Sequence, residues 1–272
     1  MNLKDKVIVV TGSTRGIGRA IAEACAREGG RVVICSRDAG AVEQATDELT
    51  QQGFEVSGLA CDVSAPGDVE RLLQHAIETW GRVDVWVNNA GLSGGYLPLD
   101  EMSAEEIAEI VDVNLTGTLR ACRIVIPHFV RQGGGVLINV SGKGGRGDAS
   151  PFTTVYAATK AAVSSLTKSL ALENKDYPIS IHSVLPSMVE TDLLTDVKTS
   201  PKLADSAETL PYVLKAIGVP VDEVGRSVAG IAAQEPGKVT GKSYSVLKGR
   251  RLMRGIALLT WYRLTGKIKG SG

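Results

Sequence analysis

Six short runs rich in branched aliphatic residues, separated by stretches of helical length, constrain this chain more than any other feature. They are Lys6–Thr11, Arg31–Ser36, Glu55–Cys61, Val83–Asn88, Val136–Ser141 and Ile179–Leu185. The intervening and following stretches, near 16–28, 38–52, 66–80, 103–132, 153–175 and 221–234, read as helices. Strands apolar on both faces need cover on both faces, and helical crossovers between them return the chain parallel. Right-handed crossovers then give a doubly wound α/β domain with a parallel sheet. Residues 1–247 fit one such domain, leaving 248–272 as an extension rather than a second domain.

The first run leads directly into Thr11-Gly12-Ser13-Thr14-Arg15-Gly16-Ile17-Gly18. Gly12 permits a tight turn, and the missing side chains at Gly16 and Gly18 permit close approach of ligand and sheet. Free amides at a helix start, with the positive end of its dipole, favour a pyrophosphate. In strand–turn–helix context this is a Rossmann-type dinucleotide loop. The second run ends in Cys35-Ser36-Arg37, where a carboxylate would serve the ribose hydroxyl of NAD. Arg37 can instead grip a 2′-phosphate bidentately, with Arg15 adding charge, so NADP(H) is expected over NAD(H) even though Asp38 follows.

Composition removes other classes. Thirty basic residues balance thirty acidic ones, and Trp, Tyr and Phe total twelve, which argues against a nucleic-acid binder. No apolar run approaches the roughly 18 residues of a membrane span. Cys25, Cys35, Cys61 and Cys122 are scattered, which suits reduced thiols and a cytoplasmic location, and no His or Cys cluster has metal-ligand spacing. Gly91-Leu92-Ser93-Gly94-Gly95 matches a hydrolase nucleophile motif, but the next helical pattern starts only near Ser103, so no strand-to-helix elbow is expected there.

Tyr156-Ala157-Ala158-Thr159-Lys160 opens a long apolar-periodic segment, and residues four apart share a helix face. A lysine ammonium about 5 Å from a phenol, at an effective dielectric of ~20, favours the phenolate by roughly 3 kcal/mol, or about two pKa units. That brings a tyrosine into range for acid–base work. Tyr244 and Lys248 have the same spacing but fall at the last strand, where four residues span about 13 Å.

The glycine loop, Asp62-Val63 after the third strand, Asn88-Asn89-Ala90-Gly91, Asn114 and Tyr156…Lys160 together resemble a classical short-chain dehydrogenase/reductase over about residues 5–247. The resemblance implies that Tyr156 exchanges the substrate proton, that Lys160 binds the nicotinamide ribose and lowers the tyrosine pKa, and that Asn114 holds a relay water. It implies that Asp62 and Val63 contact adenine and that Asn89, Ala90 and Gly91 lie along the cofactor. The activity implied is hydride transfer between a carbonyl and an alcohol. The family also places a serine about thirteen residues before the tyrosine; that position holds Lys143, and Gly142 stands where many members carry the serine. Ser141 is the expected oxyanion partner, with Ser150 and Thr154 as substitutes. The family's Pro-Gly after the sixth strand reads Pro186-Ser187, and Val189 and Thr191 beyond it are expected at the cofactor. A homo-oligomer is implied.

Leu92, Tyr96, Phe152, Met188, Leu193 and Leu194 are expected to form an apolar wall beside Tyr156, pointing to a hydrophobic small-molecule carbonyl or alcohol. Residues 188–215 are polar and Pro-punctuated, which suits a mobile segment over a site. A narrower likeness, to the chlorophyll(ide) b reductase branch, rests on Val155-Tyr156, Thr159-Lys160, Thr191–Leu194 and the tail. The alternative reading is a nicotinamide-binding sensor with little turnover. After Glu235 there are nine Lys and Arg and no acidic residue. The apolar residues of 251–265 surround much of a helix, so packing on the core or a second subunit is expected, with peripheral membrane contact as the alternative.

Overall fold

The computed structural model describes residues 2–195, 197–203 and 209–268. Seven parallel strands form one sheet in the order β3-β2-β1-β4-β5-β6-β7. They are β1 (Val7–Val10), β2 (Arg31–Ser36), β3 (Val56–Ala60), β4 (Val85–Asn88), β5 (Gly135–Val140), β6 (Ile179–Leu185) and β7 (Ser243–Ser245). Every residue of β1, β4 and β5 is buried, as expected for strands covered on both sides. The order reverses between β1 and β4, and the ligand crevice of such sheets opens beyond that switch point.

Helices α1 (Gly16–Arg27), α2 (Ala39–Gln51) and α9 (Val221–Ala232) cover one face, where Ile21, Cys25, Val224 and Val228 meet Ile8 and Val136. On the other face α3 (Asp68–Trp80), α5 (Gly117–Gln132) and α6 (Thr154–Glu173) pack Leu72, Phe129 and Ala171 against Trp86 and Leu137. Gly225 lets α9 lie directly on α1: a Cβ there would stand 2.3 Å from the Ala20 carbonyl oxygen.

One expectation needs correction, and two stretches left open gain a structure. The stretch near 103–132 is not one regular helix: α4 (Ala104–Val111) passes through a π turn (Asp112–Thr116) before α5, and the wider turn carries Asn114. The 188–215 stretch holds α7 (Asp192–Thr195), a 3-10 turn (Pro201–Leu203) and the start of α8 (Leu210–Ile217); residues 196 and 204–208 lie outside the described part. The extension forms α10 (Gly249–Leu264); Lys269 is likewise outside the described residues. Tyr244 does lie on β7, with Lys248 beyond its end.

After β6 the chain turns at Ser187, whose φ of 74° lies in the left-handed region that favours glycine. The Ser187 hydroxyl donates to the Ile217 carbonyl at 3.3 Å, tying this turn to the end of α8. A left-handed non-glycine residue costs about 1–2 kcal/mol. Ser187→Gly is therefore expected to raise stability by about 1 kcal/mol and Tm by roughly 2–4 °C, as calorimetry would register.

His182, in the middle of β6, is fully buried and has no hydrogen-bond partner for either ring nitrogen. Its ring stands edge-on to Tyr244 at 5.3 Å. Burial, aided by the Lys242 charge, pushes its pKa down to about 4. An unfolded histidine takes a proton near pH 6.5, so between there and about 4 the unfolded chain binds more protons than the folded one. Stability is lost as pH falls through that window. Tm measured from pH 7 to pH 4 should therefore fall less steeply in His182→Leu than in the parent.

Candidate active site

At the switch point the ends of β1 and β4 are fastened together. The Asn89 amide donates to the carbonyls of Thr11 and Gly12, both at 2.9 Å. The backbone N–H groups of Asn89 and Ala90 donate in turn to Thr11 Oγ1, at 2.9 and 3.1 Å. This clamp fixes the glycine loop. Gly12 has φ 61°, and a Cβ on it would stand 2.8 Å from the Ala90 Cα. At Gly18 a Cβ would come within 2.1 Å of the Gly12 carbonyl oxygen. No other residue fits either place.

Helix α1 opens at Gly16 with Arg15 at its N-cap making no side-chain cap, and with no acidic residue in its first turn. Its leading amides and dipole are therefore suited to a phosphate, and the residues present fit a dinucleotide. Thr191 borders this place: its Cγ2 would be 3.7 Å from a Cβ on Gly16. Ile17 leans on the apolar core, and Val189 is buried in it. Ser13 lies elsewhere than expected. Its hydroxyl donates to the Val10 carbonyl at 2.6 Å and accepts from Cys35 N, and its own N–H goes to the Cys35 carbonyl. It staples β1 to β2 through both its hydroxyl and its N–H.

Just past β3, the Asp62 carboxylate accepts from the backbone and hydroxyl of Ser64, at 2.9 and 2.6 Å. Val63 is buried against α5, where a Cβ on Gly117 would stand 2.8 Å from its Cγ2. Arg37 pairs with Glu109 of α4 at 3.1 Å, and Arg15 pairs with Asp192 of α7 at the same distance. All four side chains are more than half exposed, so each pair contributes under about 1 kcal/mol and exchanges readily. Asp38 caps α2 by accepting from Ala41 N, while the Ser36 hydroxyl bonds to the Asp38 backbone.

Past β4 the chain runs to Gly91, where Asn114 and Lys160 converge: a Cβ there would be 3.2 Å from Asn114 Oδ1 and 3.5 Å from Lys160 Nζ. The buried Asn114 side chain accepts from Leu92 N at 2.7 Å and donates to the Leu92 carbonyl and to Thr159 Oγ1. Thr159 donates onward to the Tyr156 carbonyl at 2.7 Å. The π turn, the strand end and α6 are thus joined through one amide.

Tyr156 and Lys160 share a face of α6, as expected, with the ammonium 5.6 Å from the ring centroid. Lys160 is 4% exposed and donates to the Val140 carbonyl at 3.0 Å. The phenol's pKa does not fall. Burial, with Tyr96 adding to it, pushes Tyr156 up to about 12, while burial pushes Lys160 down to about 8. The ammonium faces the ring and a carbonyl, and desolvation outweighs its pull on the hydroxyl. Tyr96 is held here by backbone bonds to Lys198 and Ser200 on the segment after α7.

The assignment of Ser141 to the substrate oxygen is corrected. Its hydroxyl is buried, donates to the Lys160 carbonyl at 3.2 Å and shares a 2.8 Å bond with Ser164, so it locks β5 to α6. Gly142 instead lies against the phenol: a Cβ there would be 2.4 Å from Tyr156 Oη. The Ser150 hydroxyl accepts from Thr153 Oγ1 at 3.0 Å, at the start of α6. Phe152, next to it, adopts a φ of 62°, a strained conformation for a bulky residue, four positions before the tyrosine. Ser93 lies in the loop between β4 and α4 with no helix following it, so the hydrolase elbow is absent. Sequence reasoning gave no role to the side chains of Thr11, Thr159, Glu109 and Asp192; Thr11 at the head of the glycine loop, and Thr159 and Asp192 inside quoted motifs, carried a local signal, and Glu109 carried none.

A family model described as short chain dehydrogenase matches residues 6–202. A probable chlorophyll(ide) b reductase of Oryza sativa subsp. japonica is 38% identical over 207 residues, 69% of this chain. That stretch is 41% of the relative, so the chain spans about two fifths of its length. Among solved structures, a 3-ketoacyl-(acyl-carrier-protein) reductase from Brucella melitensis complexed with NADH matches at 31% identity and a TM-score of 0.78, covering 92% of this chain and 100% of that one. An actinorhodin polyketide ketoreductase variant with NADPH matches at 32% identity and 0.80, covering 90% and 97%. With its seven-stranded parallel sheet, its glycine-loop cradle and a Tyr–Lys pair beside the β4 end, this chain belongs to the short-chain dehydrogenase family of oxidoreductases.

Proposed function

We propose that this oxidoreductase interconverts a small hydrophobic carbonyl compound and its alcohol with NADP(H), using Tyr156 as the proton donor or acceptor. The observation that carries the reading is the convergence of Tyr156, Lys160 and Asn114 beside Gly91, at the mouth of a crevice that begins in a phosphate-binding loop. Gly12, residues 14–18 and Thr191 would hold the pyrophosphate, Asp62 and Val63 the adenine, Ser36 and Arg37 the ribose end, and Asn89–Gly91 with Pro186, Val189 and Lys160 the nicotinamide half. The bound nicotinamide supplies or accepts the hydride. Tyr156, protonated throughout the neutral range, gives its hydroxyl proton to the carbonyl oxygen in reduction and recovers one afterwards. The Lys160 ammonium, anchored on Val140, places positive charge beside the oxygen that loses the proton. Asn114 holds the Leu92 backbone and, through Thr159, the first turn of α6. With glycine at 142 and Ser141 turned into the helix packing, Tyr156 is the side chain left to polarise the carbonyl. The names of the two structural neighbours, both ketone reductases, support a carbonyl substrate.

Turnover separates this reading from a nucleotide sensor. With NADPH and a panel of hydrophobic ketones and aldehydes, absorbance loss at the reduced nicotinamide band is expected; binding without oxidation for every carbonyl would overturn the enzyme reading. Tyr156→Phe should lower kcat by about 10²–10⁴-fold, leaving NADPH affinity within about threefold. Reduction should run undiminished at neutral pH and decline above about 8, where Lys160 discharges; Lys160→Met removes that alkaline limb together with most turnover.

Cofactor choice rests on Arg37, which must exchange Glu109 for the 2′-phosphate. Glu109→Gln is expected to tighten NADPH binding by up to about fivefold and leave NADH unchanged, measured as Kd by nicotinamide fluorescence. Equal effects on both nucleotides would remove Arg37 from discrimination.

A further inference from the structure

Helix α10 is seated on the body by one face. Tyr262 is buried and stands edge-on to Tyr212 of α8 at 5.1 Å. Gly255 brings the helix onto the α8 backbone, since a Cβ there would be 2.6 Å from the Ala216 carbonyl oxygen. Leu252 reaches the core, and Arg251 bonds to Glu223 and to the Gly218 carbonyl. These contacts fix which way the rest of the helix points.

The outward face is apolar where a solvent face is normally charged. Met253, Ile256 and Leu264 are 67%, 48% and 82% exposed, and Ala257 and Thr260 lie between them on the same side. This stripe runs about 17 Å along the helix. Arg250, Arg254 and the half-exposed Trp261 flank one edge of it, and Arg263 flanks the other. Those three arginines have no ion-pair partner among the described residues. At the far end Lys267 sits over the Trp261 ring at 5.0 Å and near Tyr262 and Tyr212. The chain has no carboxylate side chain after Glu235.

A second copy of the chain meets this face poorly. Two-fold packing of α10 on itself would set arginine against arginine with no acidic residue on the helix to separate them. Asp222 and Glu223, in the first turn of α9, are already paired with Arg226 and Arg251. An apolar stripe edged by cations and tryptophan has the charge and shape to lie in an anionic lipid surface, its aliphatic side chains inserted and its arginines reaching phosphate. No helix among the described residues is long and apolar enough to cross a membrane, so the contact is peripheral. We propose that α10 docks this protein on anionic bilayers through the Met253–Ile256–Leu264 face.

The full chain should float in a density gradient with vesicles of phosphatidylcholine containing about one third phosphatidylglycerol at low salt. It should stay behind with pure phosphatidylcholine and be released at high salt. Each of Arg254→Gln and Arg263→Gln should weaken binding about fivefold, and the pair roughly 25-fold. Met253→Asp with Leu264→Asp should abolish flotation while melting temperature and gel-filtration volume stay unchanged. Failure of the parent protein to float at low salt overturns the proposal. So does flotation that survives Met253→Asp with Leu264→Asp, or a shift of that variant to a smaller assembly, which would assign the face to a second copy.

Discussion

The exchange of hydrogen bonds between Thr11 and Asn89 holds together everything that follows. In a sheet ordered 3-2-1-4-5-6-7, the connections leaving β1 and β4 depart in opposite directions, and the strand ends between them have no covering helix. Here the opening is braced by one hydroxyl and one amide. The brace holds the glycine loop in a conformation that only glycine adopts, and it delivers Gly91 to Asn114 and Lys160. Nucleotide end and chemical end of the crevice are set by the same few bonds.

Burial then defines the chemistry. Tyr156 and Lys160 lie in a poorly solvated pocket that disfavours charge on both, the phenol rising to about 12 and the amine falling to about 8. The resting pair is a neutral phenol beside an ammonium whose charge is held by a single carbonyl. At neutral pH the phenol therefore keeps its proton and the amine its charge, a resting state set by desolvation rather than by spacing along the helix. The Asn114–Thr159 link adds position, because Asn114 ends on the Leu92 carbonyl and Thr159 on that of Tyr156.

Much of this was legible in the chain itself. All six aliphatic runs are strands to within a residue or two, because covered parallel strands tolerate little but Val, Ile and Leu. The loop glycines and the Tyr156–Lys160 pair were readable because each depends on local geometry. The misreadings share a cause: the direction of a small polar side chain depends on neighbours distant in sequence. Ser13 and Ser141 looked like ligand groups, yet each hydroxyl closes a contact between elements. The partners of Arg37 and Arg15 lie 72 and 177 residues away, where no local pattern reaches. The two-sided nature of α10 was hidden because its inner and outer faces are both apolar, and only its contact with α8 separates them.

The contact between Gly142 and Tyr156 couples the turn after β5 to the first turn of α6. A side chain at 142 and the phenol in its present position cannot coexist, because the first added carbon would already overlap the oxygen. Any substitution at 142 is therefore answered by the ring: even a methyl group there moves the hydroxyl from where it now stands. The two positions cannot be redesigned one at a time, and room for a larger residue in the glycine-rich turn has to be found by shifting the tyrosine or the turn itself.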